Sequence, residues 1–459
     1  MGFRIERDTM GEMRVPEDAL YGAQTARAVL NFPISGERMP REMIEALGWI
    51  KHAAAEVNLE LGRLDEPRAR AIAEAAQEVA EGRWDAHFPV DVFQTGSGTS
   101  TNMNANEVIA HRAMQIAPGL AVHPNDHVNM GQSSNDVIPT AIHLAAAKLW
   151  HRELAPALRK LHAALVEKAE AFADVVKVGR THLMDATPIT LGQEISGWAR
   201  QVELACARLE AATPRLFELA IGGTAVGTGL NTHPEFGARV AARLAERYRL
   251  PFVEAKNHFE AQAAQDALVE FSGALRCVAL SLLKIANDVR LLNSGPRCGI
   301  AEIRIPAVQP GSSIMPGKVN PVIAESLAQV CVQVVGNDAA VACAAGQGLL
   351  DLCVMLPVMM RNVLSSERLL ARAAAVFAEK CIAGLEANRE RCAELVEWSM
   401  SLATALAPHI GYERAAEIAK RAVAEGRTVR EVAEEMKILP PEELARVLDA
   451  QAMTRPGVR

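Results

Sequence analysis

The chain has 459 residues, of which 50% are hydrophobic and only 4% aromatic, and its formal net charge at pH 7 is −7. A chain of this length can form about three domains and bury a large core, which must here be mainly aliphatic. The negative charge argues against a general nucleic-acid binder, because neutralising phosphates requires clustered Lys and Arg. A small anionic substrate is compatible with it, since such a ligand needs only a few local cations.

The cysteine pattern and the absence of apolar targeting segments favour a cytoplasmic location. The eight cysteines form no C-x-x-C pair and no zinc spacing, so we expect buried, reduced thiols. No segment reaches the ~18 continuous apolar residues of a membrane-spanning helix. The N-terminal sequence MGFRIERDTMGE contains acidic residues and no apolar signal core.

Taken in chain order, the elements change from short to long and back to short. Phe3 and Ile5 alternate with charged residues, which predicts a strand, and further short elements follow. From about residue 138, apolar residues recur at helical spacing over long runs, and Pro156 is expected to kink the first of them. Such long helices indicate a bundle extended by partner subunits. The predicted runs are 140–173, 190–220, 262–293, 321–345 and 357–388.

Short helices return in the C-terminal segment. Thr428 and Glu431 form a capping box, and Pro440-Pro441-Glu442 is typical of another helix start. Since acidic and basic residues balance there, a small packing domain fits better than a helix-turn-helix module. We therefore predict a mainly α protein with an N-terminal domain (1–137), a central long-helix domain (138–390) and a small C-terminal domain (391–459).

Four polar segments interrupt the apolar helices. In the first, residues 94–107, Ser, Thr and Asn predict a loop entering a helix at Ser97–Thr101, with backbone N–H groups that can face an anion. An ordinary helix cap is the alternative interpretation. A dinucleotide fingerprint is excluded because Gly96 and Gly98 lack the third glycine.

The second polar segment covers residues 123–136. His123 and His127 are four residues apart, but Pro124 disfavours a continuous helix and no zinc motif matches, so we predict no metal site. Neutral hydrogen-bonding groups that suit a carboxylate or a hydroxyl follow: Ser133, Ser134 and Asn135.

The third and fourth segments carry the groups that could move protons or hold an anion. In residues 179–188, His182 can transfer protons near neutral pH, although a single histidine is more often structural. Residues 311–321, GSSIMPGKVNP, combine two hydroxyls, a lysine and an amide with glycines and prolines that shape the backbone. A phosphate-binding P-loop is excluded, because five residues separate Gly311 from Gly317 and Val319 follows the lysine.

Together these segments resemble the aspartase/fumarase superfamily, and within it class II fumarase. GSSIMPGKVNP is similar to the superfamily signature, and the resemblance extends over nearly the whole chain through TGSGTSTNMNANE, HPND, QSSND, GRTHLMDATP and IGGTAVGTGLNTHPEF. The resemblance implies a three-domain, mainly α fold whose central helices assemble into a homotetramer. It further implies active sites shared by three subunits, a small dicarboxylate substrate and no cofactor.

The resemblance also implies roles for individual residues. Ser312 would be the base, Lys318 would hold the substrate carboxylate, and His182 would act through a water on the opposite face with Glu325 as its partner. Other residues would bind the substrate: Ser97, Gly98, Thr99, Ser133, Ser134, Asn135, Thr181 and Asn320, together with Lys318. A secondary dicarboxylate-binding segment is implied more weakly: His123, Pro124, Asn125 and Asp126.

Two alternatives to the hydration of fumarate are considered. Aspartate ammonia-lyase is disfavoured by His182 and Ser134, where aspartases usually carry glutamine and threonine. A catalytically silent structural member is disfavoured by the presence of Ser312, Lys318, Asn320, His182 and Glu325. Several departures from the usual fumarase pattern bear on the substrate more than on the lyase class: Gly131, His127, Asp351 and Cys353.

Overall fold

The structure, a computed structural model, describes residues 2–457 and is mainly α, as predicted. Eighteen α-helices lie within this range. They are α1 Ala23–Asn31, α2 Arg41–Glu60, α3 Glu66–Ala80, α4 Thr99–Ile116, α5 Ser134–Leu149, α6 Ala155–Ala171, α7 Leu191–Ala212, α8 Phe236–Tyr248, α9 His258–Ala263, α10 Asp266–Leu292, α11 Val322–Ala345, α12 Leu356–Phe377, α13 Arg389–Trp398, α14 Ala407–Ile410, α15 Tyr412–Glu425, α16 Val429–Glu435, α17 Pro441–Val447 and α18 Ala450–Met453.

The strands occur only as two-stranded ribbons in the described part of the chain. Three pairs are antiparallel and one, β5 with β6, is parallel. Ribbons of this size cannot form a core alone and must pack on helices. They are β1 Phe3–Asp8 with β2 Gly11–Pro16, β3 Val176–Thr181 with β4 Met184–Thr190, β5 Glu218–Leu219 with β6 Val253–Glu254, and β7 Ile303–Arg304 with β8 Glu386–Ala387.

The described residues form two compact units, each assembled from three separate stretches of chain. Unit 1 contains the residues up to Ala155, Ala207–Ala279 and Val332–Leu370. Unit 2 contains Pro156–Cys206, Leu280–Cys331 and the residues from Ala371 onward. Long helices therefore contribute to both units along their length. The three-domain division at residues 137 and 390 stays a prediction.

The predicted helical stripe in the run 262–293 is confirmed by α10. Its eight apolar positions are all buried, with no more than 4% of any residue exposed. Because these residues recur every three or four positions, they lie on one side of the helix and can pack together. The eight are Leu268, Phe271, Leu275, Val278, Leu282, Ile285, Val289 and Leu292.

Local signals at helix ends are confirmed as well. The predicted first long run contains a π-helical turn at Trp150–Leu154, which ends two residues before Pro156, and the kink at Pro156 stays a prediction. Thr428 Oγ1 accepts from the Glu431 N–H at 3.2 Å, and the Glu431 carboxylate accepts from the Thr428 N–H at 2.8 Å. Helix α17 begins at Pro441, as predicted.

The expectation of buried cysteines is only partly met in the isolated chain. None of the eight cysteines forms a disulfide, and four of them are buried: Cys331, Cys353, Cys381 and Cys392. Cys277, Cys298 and Cys343 are exposed instead. Cys277 and Cys343 lie on α10 and α11, whose apolar composition suits a partner surface rather than water.

Candidate active site

The first polar segment forms the start of α4, as predicted. Gly98 is the residue before the helix and adopts a left-handed conformation with φ of 72°. A Cβ atom at this position would also lie 2.9 Å from the Ile138 side chain, so both backbone and space require glycine. Gly98 itself supplies no side-chain cap, and Gln94 Oε1 accepts from the Thr101 N–H at 3.0 Å. The other N–H groups at the positive end of the helix can interact with an anion.

Hydroxyl groups of the first and second segments meet within unit 1. The Thr99 Oγ1 atom lies 2.8 Å from Ser97 Oγ and 2.6 Å from Ser134 Oγ. Asn135 follows Ser134 in the sequence, and its Nδ2 donates to the Ala225 carbonyl at 2.7 Å. Three of the predicted substrate-binding hydroxyls, those of Ser97, Thr99 and Ser134, therefore form one hydrogen-bonded group, in which Ser97 and Ser134 are buried.

Asp136 supports this group, and we did not predict its role. It forms a capping box with Ser133 at the start of α5, and its other oxygen accepts from the backbone N–H groups of Gly222 and Thr224 at 3.1 and 2.9 Å. Burial raises the pKa of Asp136 to about 6, although the backbone N–H donors lower it in part. The S-x-x-D spacing was the available signal in the sequence.

The segment of the weaker secondary site forms a single π-helical turn, Pro124–Val128. Proline is tolerated as the first residue of this turn because its missing N–H would have no helical partner there. His123 stays outside the turn and caps it, with Nδ1 accepting from the N–H groups of Asn125 and Asp126 at 3.3 and 3.1 Å. His127 Nδ1 accepts from the His123 N–H at 2.8 Å. A dicarboxylate site in this segment stays a prediction.

His182 lies at the tip of the β3–β4 hairpin, where Thr181 pairs with Met184. The two turn residues, His182 and Leu183, both adopt positive φ, at 56° and 62°. Tight hairpins favour this backbone, but glycine or asparagine usually occupies it, and other residues cost of order 1–3 kcal/mol. The imidazole and Thr181 are exposed in the single chain.

A buried ion-pair network underlies this hairpin in unit 2. Arg180 donates from both Nη atoms to the Glu302 carboxylate, at 2.9 and 3.0 Å. Lys177 lies between Glu302 and Glu194, with its Nζ 3.1 and 3.0 Å from their carboxylates. Glu302 and Lys177 are at most 1% exposed, so these charges depend on one another. We did not predict this network, although charged residues within an apolar strand were a possible signal.

The fourth segment is a loop that closes on itself. The Gly311 N–H donates to the Lys318 carbonyl at 2.8 Å, and Asn320 Nδ2 donates to the Gly311 carbonyl at 2.6 Å. A Cβ atom at position 311 would lie 2.5 Å from the Lys318 carbonyl oxygen, so this closure requires glycine. Lys318 Nζ donates to Asn320 Oδ1 at 2.6 Å, which places the cation and the amide side by side.

Ser312 lies in this closed loop, and its hydroxyl accepts two hydrogen bonds from the backbone. Its Oγ accepts from the backbone N–H groups of Met315 at 2.9 Å and Ile314 at 3.2 Å. Donors aimed at an oxygen stabilise negative charge on it. Glu325 follows in the first turn of α11, where the helix dipole favours a carboxylate.

The predicted site residues thus occur in two sets. Ser97, Thr99 and Ser134 hydrogen-bond to one another in unit 1, and Ser312 and Lys318 share the closed loop in unit 2. Within residues 2–457 of one chain, no hydrogen bond or ion pair joins His182 to Glu325 or to the loop. In a single chain, the predicted pairing of His182 with Glu325 is therefore not formed within unit 2.

Comparisons with known proteins define the class to which this fold and these residues belong. The chain matches the lyase family model over residues 11–336 and the fumarase C C-terminus model over residues 402–455. The family model covers well over half of the sequence, so the chain belongs to this lyase family.

Relatives place the chain more narrowly. It is 56% identical to the class II fumarate hydratase of Corynebacterium glutamicum, over 98% of this chain and 96% of the relative. Identity to human mitochondrial fumarate hydratase is 54%, over 96% of this chain and 88% of the human protein. The crystal structure of class II fumarase from Schistosoma mansoni aligns with a TM-score of 0.96 and 41% identity, over 99% of both chains. Within the lyases, the chain belongs to the class II fumarate hydratases, which are hydro-lyases.

Proposed function

We propose that the chain catalyses the reversible, stereospecific hydration of fumarate to L-malate, a reaction of the tricarboxylic acid cycle. The observation that carries the proposal is the Ser312 hydroxyl, which accepts two backbone N–H bonds in the loop that presents Lys318 and Asn320. A base, a carboxylate-binding cation and an amide thus occupy one short loop.

In the dehydration direction, Ser312 removes the proton from the malate carbon beside a carboxylate. A serine hydroxyl is a weak base, and the N–H groups of Ile314 and Met315 favour its ionised form. The electron pair released from carbon moves into the adjacent carboxylate, which becomes an aci-carboxylate with additional negative charge. Lys318 and Asn320 stabilise that charge because they bind it more strongly than the ground-state carboxylate.

On the opposite face, His182 protonates the departing hydroxyl through a water, and the hydroxyl leaves as water while the carbon–carbon double bond forms. Glu325 orients the imidazole. The hydroxyls of Ser97, Thr99 and Ser134, with Ser133, Asn135 and Thr181, bind the remainder of the dicarboxylate, and Gly98 lets backbone N–H groups approach it. No step requires a metal or a cofactor.

The site is completed by partner chains in a homotetramer, with three chains contributing to each site. Helix α11 supports this proposal, because only 39% of its most apolar stretch is buried in the isolated chain. Its exposed face carries mostly small residues, which allow helices to approach closely: Val332, Gly336, Ala339 and Cys343.

Among the described helices, α11 is also the one whose length and composition would allow it to cross a membrane. A soluble bundle core fits better, because α11 carries the buried carboxylate of Asp338. This carboxylate accepts from Ser272 Oγ at 2.8 Å and from Arg276 at 2.7 Å. The lack of disulfides among the eight cysteines further supports a reducing, cytoplasmic location.

The deciding experiment supplies the purified protein separately with L-malate and with L-aspartate and follows fumarate by its ultraviolet absorbance. We expect fumarate from L-malate and none from L-aspartate. Fumarate from L-aspartate alone would replace the hydratase by an ammonia-lyase. No fumarate from either substrate would favour a catalytically silent member.

A further inference from the structure

A buried cluster of polar side chains lies behind the two hydroxyl segments of unit 1. At its centre Lys51 of α2 is fully buried, and its Nζ donates to Asn129 Oδ1 at 2.9 Å. The same oxygen accepts from Asn102 Nδ2 at 3.2 Å and from Asn106 Nδ2 at 3.1 Å. One amide oxygen thus receives three donors from two helices.

The cluster connects directly to the proposed substrate-binding residues. Asn102 and Asn106 lie on successive turns of α4, the helix that begins at Thr99. Asn129 begins the short turn that leads to Ser133, the residue before α5. Within this turn, Asn129 Nδ2 donates to the Gln132 carbonyl at 3.1 Å. The Asn129 side chain therefore links the start of α4 to the start of α5.

Stability does not explain a lysine at this position. A buried ammonium bonded to a neutral amide loses hydration that an apolar side chain of similar length would not lose. Burial accordingly lowers the pKa of Lys51 to about 7, although the Asp136 carboxylate partly opposes this effect. Three further buried oxygens in the cluster have no hydrogen-bond partner among the described residues: Asn102 Oδ1, Asn106 Oδ1 and Gln132 Oε1. The cluster costs free energy and is therefore a candidate for a functional role.

We propose that Lys51 is a positioning residue for the hydratase reaction. Through Asn129 it holds the starts of α4 and α5 at the separation at which the Thr99 and Ser134 hydroxyls share their 2.6 Å hydrogen bond. It thereby determines how well these hydroxyls bind the substrate carboxylate, without touching the substrate. The inference rests on the proposed function.

The test compares steady-state kinetics of Lys51→Met with those of the wild-type enzyme. Methionine has nearly the same length but cannot donate to Asn129, so the hydroxyls lose their alignment. We expect KM for L-malate and for fumarate to rise about tenfold while kcat changes less than about threefold. A general loss of folded enzyme would instead lower the apparent kcat and leave KM unchanged.

Lys148→Met is the matched control. Lys148 is a partly buried lysine of α5 that pairs with Glu45 of α2, so it joins α5 to the helix that carries Lys51 without contacting Asn129. We expect its KM to equal that of the wild type. If Lys51→Met does not fold, Asn106→Ala removes only one donor to Asn129 and must raise KM by a smaller factor.

The outcomes separate the inference from the proposed function. An unchanged KM in Lys51→Met, or a loss confined to kcat, overturns the positioning role while leaving the hydratase assignment intact. An unchanged KM in Asn106→Ala overturns it when Lys51→Met is unfolded. A wild-type enzyme that forms no fumarate from L-malate overturns the proposed function and the inference together.

Discussion

Glu367 carries a quantitative prediction about stability. It lies in α12 and is fully buried, and neither of its carboxylate oxygens has a hydrogen-bond partner among the described residues. Burial raises the pKa of Glu367 well above its ordinary value; Glu42 and Glu153 raise it further, and Arg368 only partly lowers it. The folded protein therefore resists ionisation of this group.

The pH dependence follows from the difference between the folded and unfolded states. Below the ordinary glutamate pKa of about 4.3, Glu367 is protonated in both states and its ionisation costs nothing. As pH rises toward the raised pKa, the unfolded chain releases a proton that the folded chain retains. The free energy of unfolding then falls by about 1.36 kcal/mol for each pH unit.

Replacing Glu367 by methionine removes both this loss and the buried polar group, whose desolvation alone costs about 1–3 kcal/mol. We expect Glu367→Met to raise the free energy of unfolding by about 2 kcal/mol at pH 5 and by clearly more at pH 8, because about 1.36 kcal/mol is added for each further pH unit below the raised pKa. Calorimetric or denaturant unfolding at both pH values measures the difference.

Glu417→Met serves as the control, because Glu417 is exposed in the middle of α15. It should change the free energy of unfolding by no more than about 0.5 kcal/mol at either pH. Equal stabilisation by Glu367→Met at both pH values, or destabilisation at pH 8, would refute the reasoning from a buried, protonated carboxyl.

Three further predictions concern the loop, the assembly and the hairpin. Ser312→Ala should lower kcat by about 10³-fold or more with the tetramer intact, while Ser313→Ala in the same loop retains activity; near-normal turnover of Ser312→Ala would remove Ser312 as the base. A leucine at position 336 meets no other atoms in the isolated chain, so Gly336→Leu should leave the fold of one chain unchanged. If α11 packs against partner chains, the larger side chain should disrupt that contact, and light scattering should show smaller oligomers. An unchanged oligomer would show that this face of α11 is not part of the subunit interface. Glu302→Gln leaves Lys177 and Arg180 without a buried carboxylate and should cost about 3–5 kcal/mol in unfolding free energy, whereas a change below about 1 kcal/mol would show that the network is dispensable.

Much of the local structure was predictable because it depends on short-range patterns. The spacing of Leu268, Phe271 and Leu275 determines which side of α10 is buried, and Thr428 with Glu431 determines where α16 begins. Resemblance of six separate motifs predicted the class of enzyme, which the relatives confirm. The roles assigned to individual site residues stay predictions.

The helical class, the helix ends, the polar segments and the family could be predicted, because each depends on residues near one another in the chain. Contacts between residues far apart in the chain became known only from the folded protein: Thr99 with Ser134, Arg180 with Glu302, and Lys51 with Asn129. A buried polar group needs a hydrogen-bond partner, and that partner can lie anywhere along the chain. The spacing of residues in the sequence therefore does not predict which two groups pair. For the same reason, the burial of the ionisable side chains of Lys51, Glu302 and Glu367 could not be predicted from the sequence.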